Sequence, residues 1–224
     1  MWRDAALVAA KDLRIEYRSR VATTQVAPYA VLVLVLFGFA FDQNHTLLSK
    51  VAAGLFWVAV LLSSLLTVQR SCAIESADGA RDALRLSGLD PAGIFLGKTL
   101  AIMAQLFVLE LVLGIGVVVL FGIELRDPAL LFCSCVAATV GLAAAGTLYG
   151  MIASGLKVRE TLLPLLVLPV VAPVLLGATQ TWMAALGTAS AGTDGWKWLS
   201  LVGGFAVIYV AAGTLAFSIL VEES

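Results

Sequence analysis

Few side chains in this sequence are equipped for chemistry, and their spacing excludes most of it. His45 is the only histidine in 224 residues, so neither a two-histidine metal centre nor an HExxH helix exists. Cys72, Cys133 and Cys135 are an odd number without metal-ligand spacing, and two of them fall inside one apolar run, where they read as packing residues. The string AGIFLGKT, Ala92 to Thr99, has the look of a phosphate-binding loop with alanine for its first glycine. Such a loop curls its amides around phosphate after a strand. Here Lys98 instead opens an apolar run, so no nucleotide site, no catalytic residue, no metal and no resident cofactor are expected in the chain. Glu110 is the remaining candidate, because it interrupts that run near its middle. A carboxylate at such depth turns toward protein, water or a partner. The alternative is a protonated, hydrogen-bonded packing residue, and both readings stand.

The elements that must position these residues follow from charge spacing. The chain is 61% hydrophobic and 13% charged, with a mean hydropathy of +1.00, against roughly 45–50% apolar and ~25% charged residues in a soluble domain. Its 14 basic and 15 acidic residues leave a net charge of −1, which excludes a basic nucleic-acid binder and a disordered polyelectrolyte. Uncharged runs of 21, 19, 29, 33 and 24 residues follow Arg20, Lys50, Asp127, Glu160 and Lys197, and a run of 25 after Lys98 is broken only by Glu110. A membrane-crossing helix needs ~20 apolar residues, because its backbone groups have no water to bond. The pattern predicts one all-α membrane domain over 1–224 with six spans, at 21–41, 51–69, 99–123, 129–153, 161–180 and 199–221. Pro164, Pro169 and Pro173 should bend the fifth span, as a kinked packing helix or as a moving gate. From Gly177 the text turns small and polar, which predicts an excursion on the outer surface with a short re-entrant or interfacial helix.

With residues 1–20 placed inside, eleven basic residues flank the inner side and only Lys50, Arg126 and Lys197 the outer. Basic residues beside spans stay cytoplasmic, so both termini are expected there. Arg3 and Asp4 are followed by a charged segment rather than by the uninterrupted apolar core of a cleavable signal. Trp2, Ala6, Ala9, Leu13 and Tyr17 recur at helical spacing while Lys11, Arg14 and Arg18 share another face, which predicts an amphipathic helix at the lipid headgroups.

Residues 70–98 form the longest polar stretch. Glu75, Asp78, Arg81, Asp82 and Arg85 lie on it, with Asp78-Gly79 as punctuation before a possible short helix from Ala80 to Leu86. The stretch is either a solvated face or a docking surface for a cytoplasmic partner. Gly146, Gly150 and Ser154 recur every four residues and predict a helix-packing seam. His45 and Trp182, Trp196 and Trp198 are expected at the outer face. An imidazole ligand and aromatic surfaces could meet a haem there, although tryptophan also favours membrane interfaces for its own reasons.

Four strings in order, GLFWVAVLLSSLL (Gly54 to Leu66), ESADG, LSGLDPAGIFLGK (Leu86 to Lys98) and ETLLPLLVLPVVAPVLL (Glu160 to Leu176), resemble the cytochrome c maturation protein B family. That family is the membrane permease of a haem exporter, an ATP-binding-cassette transporter of the ABC-2 kind, and the similarity covers essentially the whole chain. The resemblance implies a homodimeric, multi-pass protein of the bacterial inner membrane, in contact with membrane lipid. It implies two copies of a separate ATPase, cytochrome c maturation protein A, which binds ATP and magnesium. It further implies membrane partners C and D, and a periplasmic haem chaperone. Haem is then cargo, or ATP hydrolysis serves release of the loaded chaperone. No family role passes to Glu110, His45 or the cysteines, which lie outside those strings. A permease for a lipid, glycan or drug would share this architecture, and a non-transporting scaffold or membrane enzyme would need no ATPase.

Overall fold

The computed structural model describes residues 1–20, 25–41, 45–76, 88–123, 125–154, 159–190 and 193–223. Among these there are seven α-helices: α1 (Trp2–Ser19), α2 (Ala27–Ala40), α3 (His45–Ser76), α4 (Pro91–Phe121), α5 (Pro128–Ser154), α6 (Arg159–Ala185) and α7 (Gly195–Glu223). Five of them, α3 to α7, are long and apolar enough to cross a membrane. α2 has 14 residues and so rises about 21 Å, less than the ~30 Å of a hydrocarbon core. A π-helical turn at Gln25 and Val26 precedes it.

Three aspartates start helices. Asp90 accepts a hydrogen bond from the Ala92 N–H, Asp127 from that of Leu130 and Asp194 from that of Trp196, at 3.0–3.1 Å. Proline follows two of these caps, where a missing N–H costs nothing. α4 ends at Gly122, whose φ of 62° closes the helix in the left-handed region. Buried hydroxyls return to their own helix: Ser63, Thr67, Thr99, Thr147 and Thr181 each donate to the carbonyl four residues back. That local bond lets polar side chains sit among apolar ones without an orphaned donor.

α5 stands at the centre, packed on α3, α4, α6 and α7, while α2 lies on α3 and α4. α1 lies along the start of α4, which marks one end of the bundle; it is called here the α1 end, and the opposite one the far end. At the far end the Asp127 N–H bonds the Ala185 carbonyl, tying α5 to α6. The Tyr209 hydroxyl of α7 donates to the Val170 carbonyl, between Pro169 and Pro173 of α6. Outward faces of α4 and α7 carry Leu111, Val119, Val207 and Leu215, all exposed, as befits helices surrounded by lipid.

Two expectations change. The excursion after residue 180 is helix as far as Ala185, and no re-entrant or interfacial helix follows among the described residues. The small residues there serve close packing instead: a Cβ on Gly177 would stand 2.6 Å from Val202 of α7. The stretch 70–98 is helical at both ends, since α3 continues to Ser76 and α4 begins at Pro91. The Ala80–Leu86 segment lies outside the described residues.

Candidate functional site

Two places combine polar side chains with space. The first is the α1 end. Gly93 and Gly97 of the AGIFLGKT string are one turn apart on α4, and they carry α1. A Cβ on Gly97 would stand 2.6 Å from the Ala5 carbonyl oxygen and 2.7 Å from Val8 Cβ; one on Gly93 would stand 2.9 Å from the Met1 carbonyl oxygen. Small residues at this spacing let helix backbones meet. The amides of the string are spent on the helix, beginning with Ile94 N–H to the Asp90 carbonyl. It is a helix seat and not a phosphate loop.

This contact divides α1 into three sectors. Ala5, Val8 and Ala9 are buried against α4, whereas Trp2, Leu13 and Tyr17 of the expected apolar face are exposed. Arg3, Lys11, Arg14 and Arg18 occupy the third side. Asp4 accepts from the Met1 amino group at 3.2 Å and from the Asp90 N–H at 3.4 Å, and these bonds hold its carboxyl below the ordinary range. About two turns along α4, Lys98 is buried at 4% exposure, with Nζ 3.8 Å from Asp12 Oδ2, while Lys11 Nζ stands 2.9 Å from Asp12 Oδ1. Beyond α3 a groove of about 900 Å³ opens between α2, α3, α5 and α6. Its walls include Leu62, Leu65 and Leu163, and Gln25, Gln69 and Arg70 supply its polar groups.

The second place is Glu110, on α4 and 5% exposed. Its Oε1 accepts from Thr139 Oγ1 of α5 at 2.5 Å, and its Oε2 is buried without a hydrogen-bond partner. Trp182 of α6 is stacked on Phe56 of α3 at 3.9 Å and presents a buried indole N–H, also without a partner. Glu110, Cys135 and Trp182 line a cleft of about 480 Å³ that is otherwise apolar. Replacing Glu110 by leucine strands the Thr139 hydroxyl, so Glu110→Leu should lower the stability of the purified protein by about 1–3 kcal/mol. Glu110→Gln keeps an acceptor for Thr139 and should stay near wild type. Thermal unfolding of the two variants in detergent checks this, and equal curves would mean that the bond contributes nothing.

A family model described as CcmB protein matches residues 3–224. The chain belongs to the CcmB protein family. Relatives similar to it include several proteins named heme exporter protein B. The protein from Paracoccus denitrificans is 30% identical over 210 residues, 92% of this chain and 89% of the relative. That from Rhodobacter capsulatus is 30% identical over 170 residues, 74% and 76% of the two chains, and that from Pseudomonas aeruginosa is 28% identical over 191 residues, 81% of each. The family match begins one residue inside α1 and runs on through α7, so nearly all of α1, the Gly93–Gly97 seat and Glu110 lie within it.

Within this CcmB chain the residues expected from sequence fall in different places. Glu75 is in the last turn of α3; its side chain, and Asp78, Gly79, Arg81, Asp82 and Arg85, lie outside the described residues. Gly146 and Gly150 face α3, where a Cβ would stand 2.6 Å from Val68 and 2.8 Å from Cys72 Sγ. Ser154 closes α5 at the same end, its side chain undescribed. His45, side chain likewise undescribed, opens α3 at the far end, and Trp196 and Trp198 are in the first turn of α7 there. Trp182 leaves that group: it is buried in the bundle because its ring stacks on Phe56 and meets Trp57 edge-on. Sequence reading missed Asp12, Thr139 and the burial of Lys98. The signal for the last was the four-residue spacing of Gly93 and Gly97 immediately before it.

Proposed function

We propose that this chain is the membrane permease subunit of an ATP-driven transporter that serves haem delivery in cytochrome c maturation. The observation that carries the reading is the CcmB family match over residues 3–224 on a bundle of long apolar helices. The relatives' name, heme exporter protein B, supports haem as cargo; release of a haem-loaded periplasmic chaperone is the other outcome of the same cycle. In this reading residues 21–41 make a sixth crossing. The 11 to 3 split of basic residues puts both termini and the α1 end in the cytoplasm, with the protein in the bacterial inner membrane. Two copies assemble with a separate ATPase, cytochrome c maturation protein A, which supplies ATP and magnesium, and with membrane partners C and D. A haem contact through His45, Trp196 and Trp198 belongs to the periplasmic side of this arrangement.

In this reading the ATPase docks on the loop within residues 70–98, through charge-assisted contacts of Glu75, Asp78, Arg81, Asp82 and Arg85. Asp90, at the exit of that loop, meets Asp4 of α1, so a push on the loop reaches α1 and through it α4. Purification with native partners, mass spectrometry and a haem absorbance spectrum test the reading, and an assembly without an ATP-binding subunit would sink it. Charge reversal at Asp78 and Asp82 should strongly reduce recovery of the ATPase while membrane insertion stays intact. Unchanged recovery would move the docking surface elsewhere.

A further inference from the structure

The Glu110 cleft has an opening in the membrane-facing wall, and none of the described residues fills it. Glu110 lies 12 residues beyond Lys98 and 11 before the end of α4 at Phe121, about 18 and 16 Å along the helix axis. That is mid-bilayer depth, beyond the reach of lipid headgroups, and acyl chains carry no donor. Gly114, one turn on, lines the same cleft, and a Cβ there would meet nothing within 4 Å. Around it stand the exposed side chains of Leu111, Ile115 and Phe132. An unpaired buried carboxyl oxygen, an open glycine one turn away and an apolar rim together form a negative image of one helix that bears a polar group.

We propose that this cleft seats a transmembrane helix of a different subunit, which presents a hydroxyl, amide or basic donor to Glu110 Oε2. The inference rests on the reading of this chain as one subunit of a membrane assembly. A second copy is a poorer occupant. Among the described residues, the outward faces near that depth carry Leu32 and Leu36 on α2, Leu176 on α6, and Val207 and Ile208 on α7. Among the described residues a second copy therefore offers Glu110 alone near that depth. A helix from elsewhere approaches closely over Gly114 and offers the carboxyl a donor from the hydrocarbon side, beside the Cys135 thiol and Trp182 indole that line the same cleft.

The test uses the assembly purified with its native partners, with p-benzoylphenylalanine in place of Leu111 or Phe132 and photocrosslinking in the membrane. The expected adduct is a peptide from a membrane-spanning helix of a different subunit, with a donor side chain within one turn of the crosslinked residue. Gly114→Trp, which enters open space, should remove that adduct and the recovery of that subunit while the ATP-binding subunit is still recovered. An adduct to a second copy of this chain, an adduct to lipid only, no protein adduct, or unchanged recovery in Gly114→Trp would each overturn the proposal. Absence of an ATP-binding subunit from the wild-type assembly would instead count against the transporter reading, whatever the adduct.

Discussion

Gly97→Leu releases α1 from α4. The Ala5 carbonyl oxygen would be 2.6 Å from even the first added carbon, and a backbone atom in a helix cannot turn aside as a side chain can. The contact must therefore open along its length and expose Ala5 and Val8, both now buried. Gly97→Ala meets the same oxygen with one carbon, so a smaller opening suffices, at about 1–3 kcal/mol for an overpacked site. Leucine adds three more carbons and should exceed that range. The readout is a spin label or fluorophore on Ala6, which lies on the exposed side of α1: slow motion in wild type, intermediate in the alanine variant and fast in the leucine variant. If Gly97→Leu leaves the label as slow as wild type, α1 is held by lipid and not by α4.

Asp12→Leu should be the next most damaging change, because it removes a carboxylate from a buried Lys98. Breaking a fully buried pair from one side costs up to about 3–5 kcal/mol; Asp12 keeps 14% of its side chain accessible and is shared with Lys11, so a loss below that range is expected. Asp12→Leu combined with Lys98→Met should recover most of that loss, since replacing both charges by apolar groups is often neutral or stabilising. Thermal unfolding of the four members of this cycle checks it. A double variant no better than Asp12→Leu would show that the Asp12 charge is held for Lys11, 2.9 Å away, rather than for Lys98. High salt should change the cycle little, because a pair this buried is weakly screened.

The membrane bundle was legible because its signal is additive: every residue between Asp127 and Lys157 argues for the same solvent, and no single one has to be right. Helix ends were harder. α3 extends from His45 to Ser76 around an expected 51–69, since lysine and arginine within a turn or two of a span reach the interface without ending the helix. The Asp90 and Asp127 caps, each followed by proline, were readable in principle, but Asp127 entered only as the charge before a run and Asp90 only as part of the polar stretch 70–98. α1 was legible as an amphipathic helix with its large apolar residues toward lipid, but its second, protein-facing side of Ala5, Val8 and Ala9 was not read. Trp2, Leu13 and Tyr17 are larger than Ala5, Val8 and Ala9, and hydrophobicity alone favours the larger set. What selects the smaller set is closeness of approach, and that depends on Gly93 and Gly97 some ninety residues away. Glu110 stood out in the sequence, but Thr139 did not. Its hydroxyl is one of many in apolar runs, and only the packing of α5 on α4 distinguishes it from those that bond their own backbone.

The α1–α4 seat also sets an order of events during synthesis. Val8 is made 89 residues before Gly97, so at about 5–20 residues per second the first helix leaves the ribosome roughly 5–20 s before its seat exists. In that interval it has no protein partner for Ala5 and Val8. Its exposed Trp2, Leu13 and Tyr17 and its basic side give it a waiting place on the lipid surface, where it can lie until α4 is threaded and then roll onto the two glycines.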